Sequence, residues 1–439
     1  MILVLITFST LLYGAVHNAV LGIVYVTIAA MVVIWAVDGI IAGRVRYSRE
    51  PLQLILFAAA LYGLVQVVPL GTLEPVGGVS GIPNTISLYP FATQVAALHF
   101  LGLGTFFSLV CVSLDSAARL RKLTIFITAF GAIYAFFAII QSVLSPTSIY
   151  GLLDRPFAQP FGSFVSRNNF AGWMEMAIAL PLGMLFSGSV ERDKRLIILT
   201  ASMIMGVSIA LSGSRGGLIA LLLQIAFLFV VTYSQKSKGQ LWLKLVLGVG
   251  IIVGIIAGTA FVGGESTLTR ISDEPLAADG IVSRPQIWNV TLRMSADNMP
   301  FGVDLGAYSV AYPKYDEASG FERVEQAHDD YLQVVSDAGI VGGLLGLAFL
   351  YLLWRVCSEA ISTSNTERRG IATGALAGIV GVLIHSLFDF VLHTTAIALL
   401  FLSLLGLLAA ARFSYPDDDA RASDKPRKRR KSHLSPRET

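Results

Sequence analysis

The chain has 439 residues, of which 54% are hydrophobic and only 14% charged, with a formal net charge of +3 and a mean hydropathy of +0.69. A soluble domain carries roughly 25% charged residues, so a water-surrounded globule is excluded. The dyad alternation of a transmembrane β-barrel is absent as well. What remains is an all-α, polytopic integral membrane protein.

In chain order, apolar runs of about the length that crosses a bilayer, roughly 17–25 residues, predict twelve spans. They fall near 1–15, 19–41, 51–69, 93–113, 123–143, 169–187, 196–212, 216–233, 244–262, 339–357, 371–389 and 395–411. The first 18 residues lack a basic n-region and a small-residue cleavage site and read as a retained span. The expected organisation is nine spans over 1–262, a large loop over 263–338, three spans over 339–411 and a disordered basic tail over 412–439. Cys111 and Cys357 both lie in or beside apolar spans, which argues against a disulfide framework or a cysteine metal site.

Lys and Arg set the orientation, because cytoplasmic loops retain positive charge. With the loop around Arg44, Arg46 and Arg49 placed inside, 24 of the 32 basic residues fall on that side, and both termini are expected to be cytoplasmic. The tail DKPRKRRKSHLSPRET suits anionic headgroups. The other side holds only Arg155, Arg167, Arg215, Arg270, Arg284, Arg293, Lys314 and Arg323, together with the one large loop, so function is sought there.

In ALSGSRGGLIA, Arg215 and Ser214 lie in a tight turn where an expected span starts and runs inward. A helix N-terminus beside a guanidinium is an anion site, for a diphosphate above all. The alternative is an arginine snorkelling to headgroups while its glycines permit close helix packing. Arg167 and Asn168 stand just before the next span that starts on the same side. In SRPQIWNVTLRMSADNMPFG, Ser283 as N-cap, Pro285 in the first turn and Ile287, Val290 and Met294 on one face predict a short helix that begins with Arg284. His328 and Tyr331 follow at adjacent turns of a helix that leads into the tenth span and breaks near Gly339. With Asp329 and Asp330 beside it, His328 is a candidate general base; a structural histidine is the plainer alternative. His17, His99, His385 and His393 have no comparable company in the sequence, and His433 is in the tail. Asp389, at the end of the eleventh span, is either a functional acid or an ion-pair partner for one of these arginines. No Cys/His cluster has zinc-like spacing, and neither a phosphate-binding P-loop nor a dinucleotide fingerprint is present. No metal or cofactor is therefore expected.

The segments GSFVSRNNFAG, LSGSRGG, SRPQIW, PFGVDLGAY and HDDYLQVVSDAGIVG, in this order, resemble the bacterial O-antigen ligase and polymerase family over about 120–410. The resemblance implies a GT-C-like membrane glycosyltransferase of the bacterial inner membrane with a periplasmic site. Its reaction would be metal-independent, inverting transfer of a glycan from undecaprenyl diphosphate to a sugar hydroxyl. The acceptor would be lipid A–core for a ligase, the preferred reading, or another lipid-linked repeat for a polymerase. Arg215 and Arg284 would hold the donor diphosphate, His328 would deprotonate the acceptor, and Arg167 with Asn168 would line the donor site. Ser214, Tyr331, Asp330 and Asp389 complete the expected substrate contacts. Asp329 and Asp337 stand where the family commonly has Asn and Glu, which speaks against essential roles for those two. A flippase would place ionisable groups at mid-span, whereas here the cations gather at one face, and a nucleic-acid partner does not fit twelve spans.

Overall fold

Long apolar segments leave the backbone no polar partners but its own, and so they fold as helices. The computed structural model describes residues 1–75, 77–154, 159–233, 238–273, 283–317 and 323–415. The helices are α1 (Ile2–Leu11), α2 (Asn18–Ala42), α3 (Leu52–Gln66), α4 (Pro90–Ser113), α5 (Ala117–Leu144), α6 (Arg167–Phe186) and α7 (Arg195–Ser212). They continue with α8 (Arg215–Tyr233), α9 (Lys238–Asp273), α10 (Arg284–Asp297), α11 (Tyr308–Ala311), α12 (Asp330–Ile361), α13 (Thr366–His385) and α14 (Thr395–Ala411). Among the described residues the strands are two hairpins with arms of two residues each. Each expected span coincides with a helix, and eight of these helices are long and apolar enough to cross a membrane. The chain is a polytopic all-α membrane protein. Arg155, Lys236 and the tail beyond Tyr415 lie outside the described residues.

Several boundaries differ from the expectation, three of them near the candidate site or the large loop. Helix α9 runs past 262 to Asp273. The tenth span is part of a longer helix that starts at Asp330 and bends at Gly339, where φ is 54° and ψ −137°. The eleventh stops at His385, four residues early, and leaves 386–394 as a turn.

The centre of the bundle is α6, α13 and α14; every residue of α14 is buried, while only a minor share of the apolar stretches of α2 and α12 is buried. Helices α6 and α13 cross at Gly183 and Gly374, where a Cβ on Gly183 would sit 2.2 Å from the Gly374 backbone. Small residues allow such close approach, and without water to drive association it is van der Waals contact that holds membrane helices together.

The bend in α12 has a local cause. The segment 300–304 crosses the helix there: Val303 N donates to Ser336 O at 2.8 Å, Asp304 N to Asp337 O at 3.0 Å, and Ile340 N to Pro300 O at 2.9 Å. The crossing chain thus satisfies the backbone groups that the break exposes. A Cβ on Gly339 would lie 2.1 Å from Pro300 O, and its positive φ also favours glycine. Burial pushes the Asp304 carboxyl up to about 7; the amide of Leu88, bonded to it at 2.7 Å, works against that.

Ion pairs fasten the bundle end where α5 and α13 begin and α14 finishes. Arg121 pairs with Glu367, and Arg412 with both Glu50 and Glu359. Arg46 joins Asp38 at 2.7 Å and Asp115 at 2.9 Å.

Candidate functional site

Four helices begin around one turn at the other end. The first amides of a helix lack intrahelical acceptors, and a polar side chain caps each start. Ser166 Oγ accepts from Asn168 N at 3.2 Å at the head of α6. Ser214 Oγ accepts from Gly217 N at 3.2 Å at the head of α8. The short helix expected after Ser283 is present as α10; Ser283 and Gln286 form its capping box, and Ile287, Val290 and Met294 are buried. Asp329 Oδ1 accepts from Tyr331 N at 2.8 Å and Leu332 N at 2.9 Å at the head of α12. These starts surround residues 385–389, where α13 ends.

Asp389 is the hub. Its Oδ2 accepts from the Asn168 side-chain amide and lies 3.4 Å from Arg284 Nη2; its Oδ1 lies 3.3 Å from His328 Nδ1. Arg284 also donates from Nη1 to the Phe388 carbonyl at 2.7 Å. The Asp389 side chain is 5% exposed, and burial works to keep its carboxyl protonated. The hydrogen bond to His328 and the charges of Arg284, His328 and His385 outweigh burial and hold its pKa down at about 2. The ionised carboxylate can only accept, so in the neutral ring the tautomer it selects has the proton on His328 Nδ1 and the lone pair on Nε2. An imidazole oriented by a buried carboxylate is an arrangement that can accept a proton. His328 holds it from a left-handed backbone conformation, φ 51°, which costs about 1 kcal/mol in a non-glycine residue.

Arg215 begins α8, and the first turn of that helix packs against the same turn. A Cβ on its neighbour Gly216 would lie 2.8 Å from His385 Nε2 and 3.7 Å from Phe388 Cβ. The Arg167 guanidinium lies against the α7–α8 turn, 3.6 Å from where a Cβ on Gly213 would be. Segments more than 200 residues apart thus bring Arg167, Asn168, Arg215, Arg284, His328 and Asp389 to one place.

Other expected contacts serve the frame. The Ser214 hydroxyl is occupied in capping. Asp330 accepts from Ser386 Oγ at 2.7 Å and Leu392 N at 3.2 Å, and its Oδ1 lies 2.8 Å from His393 Nδ1. Burial alone would lower the pKa of His393, and Asp330 raises it above the ordinary value. The Tyr331 hydroxyl donates to Leu383 O at 2.7 Å. Together these bonds dock the head of α12 on the end of α13, which sets His328 opposite Asp389. The carboxylate on His328 is therefore Asp389, and its sequence neighbours Asp329 and Asp330 are turned to other partners. An apolar cavity of about 350 Å³ starts beside Asp330 and Tyr331 and follows α12 to Leu350.

Glu175, which the sequence does not single out, and His385 and His393, which have no visible company there, also belong to paired groups. His385 Nδ1 lies 3.3 Å from both carboxylate oxygens of Glu175. The available signal was one carboxylate in the apolar run WMEMAIAL, since an ionisable group inside a membrane helix calls for a partner. Among the described residues no group of three or more His, Cys, Asp or Glu side chains is arranged to hold a metal ion.

No curated protein matches the chain. The family model described as O-antigen ligase matches residues 200–347. This stretch runs from within α7 to the middle of α12 and contains Arg215, Arg284 and His328, while Arg167, Asn168 and Asp389 come from outside it. That stretch, about a third of the chain, is similar to the O-antigen ligase family and lies at the centre of the candidate site.

Proposed function

We propose that the protein transfers a glycan from a polyprenyl diphosphate, undecaprenyl diphosphate in bacteria, to a sugar hydroxyl at the periplasmic face of the inner membrane, with lipid A–core as acceptor. The observation that carries this reading is the placing of His328 against Asp389 with Arg284, Arg215 and Arg167 around the same turn. The guanidiniums and the first amides of α8 and α10 suit a diphosphate. His328 Nε2 suits the acceptor hydroxyl.

In the reaction the acceptor oxygen attacks the anomeric carbon from the face opposite the diphosphate. The new C–O bond forms as the bond to the diphosphate oxygen breaks, which inverts the configuration. The hydroxyl proton passes to His328 Nε2, Asp389 stabilises the imidazolium, and the bonding pair leaves with the diphosphate onto the arginines. Positioning and charge stabilisation supply most of the acceleration, because the leaving group is already a good one.

The test is reconstitution in lipid with a defined polyprenyl-diphosphate glycan, offered lipid A–core or a second lipid-linked repeat, with and without EDTA. Transfer to lipid A–core in EDTA is expected. Chain growth on the lipid-linked repeat would make the protein a polymerase. Strict dependence on a divalent metal, or no use of the polyprenyl-diphosphate donor, would overturn the mechanism.

A further inference from the structure

Glu175 and His385 form a buried ionisable pair inside the bundle, with side chains 0% and 1% exposed. The pair joins α6 to the last residue of α13. A pair of this kind adds little to stability, because well-packed apolar residues of the same volume commonly do as well or better. Its place in the fold is more telling. The ring of His385 is held on one edge by both oxygens of Glu175 at 3.3 Å. Its other edge lies against the first turn of α8, where only a glycine fits: a Cβ on Gly216 would sit 2.8 Å from both Nε2 and Cδ2. The backbone of the same histidine starts the turn that carries the hub, its carbonyl accepting from Phe388 N at 2.8 Å and Asp389 N at 3.2 Å. Two turns deeper in α8, the Gln224 side-chain amide donates to the carbonyls of Glu175 and Ala377, both at 3.0 Å, and pins that helix to α6 and α13 a second time.

We propose that Glu175 and His385 are positioning residues that fix the first turn of α8, and with it Arg215, relative to the Phe388–Asp389 turn, and so set the geometry of the diphosphate site. The proposal rests on the functional reading above, in which the head of α8 holds the donor diphosphate. Glu175 orients the imidazole, the imidazole is the spacer between α13 and α8, and Gly216 is the cleft that receives it.

The test uses the full chain reconstituted in lipid, with kcat, the KM for the polyprenyl-diphosphate donor, the KM for the acceptor and the thermal midpoint measured for each variant. His385→Ala and Glu175→Ala are expected to raise the donor KM about tenfold and to leave the acceptor KM unchanged, as loss of a donor-binding geometry requires. Glu175→Gln, which retains a hydrogen-bonding partner for Nδ1, is expected to return the donor KM to within about threefold of wild type. Gly216→Ala is expected to reproduce the donor defect, and it carries the test should His385→Ala fail to fold. A donor KM unchanged in His385→Ala and Gly216→Ala, with only kcat or the thermal midpoint lowered, overturns the proposal and leaves a packing pair. In that case a raised donor KM in Arg215→Ala still upholds the functional reading. A wild-type protein that ignores the donor overturns both.

Discussion

Replacing Asp389 with Asn probes the hub directly, because the exchange keeps the volume and removes only the second acceptor and the charge. Its carboxyl is held at about 2 against an ordinary 3.8, which corresponds to roughly 2–3 kcal/mol of net favourable interaction with its neighbours. An amide cannot reproduce it. Oδ1 faces His328 Nδ1 while Oδ2 faces donors on Asn168 and Arg284. If the amide oxygen turns to His328, the amide NH₂ meets two donors. If it turns to Asn168 and Arg284, the NH₂ meets His328 Nδ1, which must then give up its proton to Nε2, and the base is lost.

The expected result is a fall in kcat of about 10²–10⁴-fold, the range that a general base contributes, measured at saturating donor and acceptor. Because the 3.3 Å contact is long for a charge-assisted hydrogen bond, the lower part of that range is the better expectation. His328→Ala combined with Asp389→Asn should be no slower than His328→Ala alone, since residues that act as one unit are not additive. Wild-type kcat in Asp389→Asn, or a double variant whose losses multiply, would refute the dyad. The wild-type pH dependence adds a control. A carboxyl with a depressed pKa contributes stability above its unfolded value, and that contribution is lost only as the pH falls through about 2. Between pH 5 and 8 Asp389 stays ionised and adds no pH dependence to stability.

His328→Ala should abolish turnover while donor binding and the thermal midpoint stay near wild type, and Arg284→Ala should raise the donor KM; steady-state kinetics beside thermal melting checks both. Asp304→Asn acts through stability. The Asp304 carboxyl is raised to about 7, so its favourable contribution is full below the unfolded value near 3.8 and is lost as the pH rises through 7. The amide oxygen can still accept from Leu88 N, so the variant should match wild type in melting experiments at low pH and exceed it at pH 8. Gly374→Ala should lower the thermal midpoint by an amount equivalent to about 1–3 kcal/mol of overpacking, since its Cβ would lie 2.8 Å from the backbone of α6.

The parts of this molecule that were legible in sequence are those where local chemistry and hydropathy agree. Ser283, Pro285 and the spacing of Ile287, Val290 and Met294 marked α10 because capping and periodicity act within a few residues. Gly339 marked the bend for a similar reason. The end of α13 was misplaced because LFDFVL is as apolar as a span; the turn over 386–394 is stabilised by the side chains of Asp330 and Asp389, which hydropathy does not see. The carboxylate that meets His328 comes from 61 residues away, and its adjacent Asp329 and Asp330 gave no sign of that. Glu175 and His385 lie 210 residues apart, and periodicity assigns each a face without saying what it meets.

Arg167, Arg215 and Arg284 each occupy the first position of a helix. That is the wrong place for a cation by local rules, because the helix dipole disfavours positive charge at an N-terminus by about 0.3–1 kcal/mol each. At the opposite end Arg121, in the first turns of α5, and Arg368, in the first turn of α13, break the same rule. There, however, the proposed orientation makes that side cytoplasmic, where positive charge is retained, and Arg121 has Glu367 beside it. On the proposed periplasmic side topology gives no such reason, and three arginines stand against both preferences around a single buried carboxylate. Local rules broken together at one place are expected at functional or strained sites, which supports the proposed one. The ligand that would reverse the balance is an anion large enough to meet several helix starts at once. A diphosphate has that size and charge.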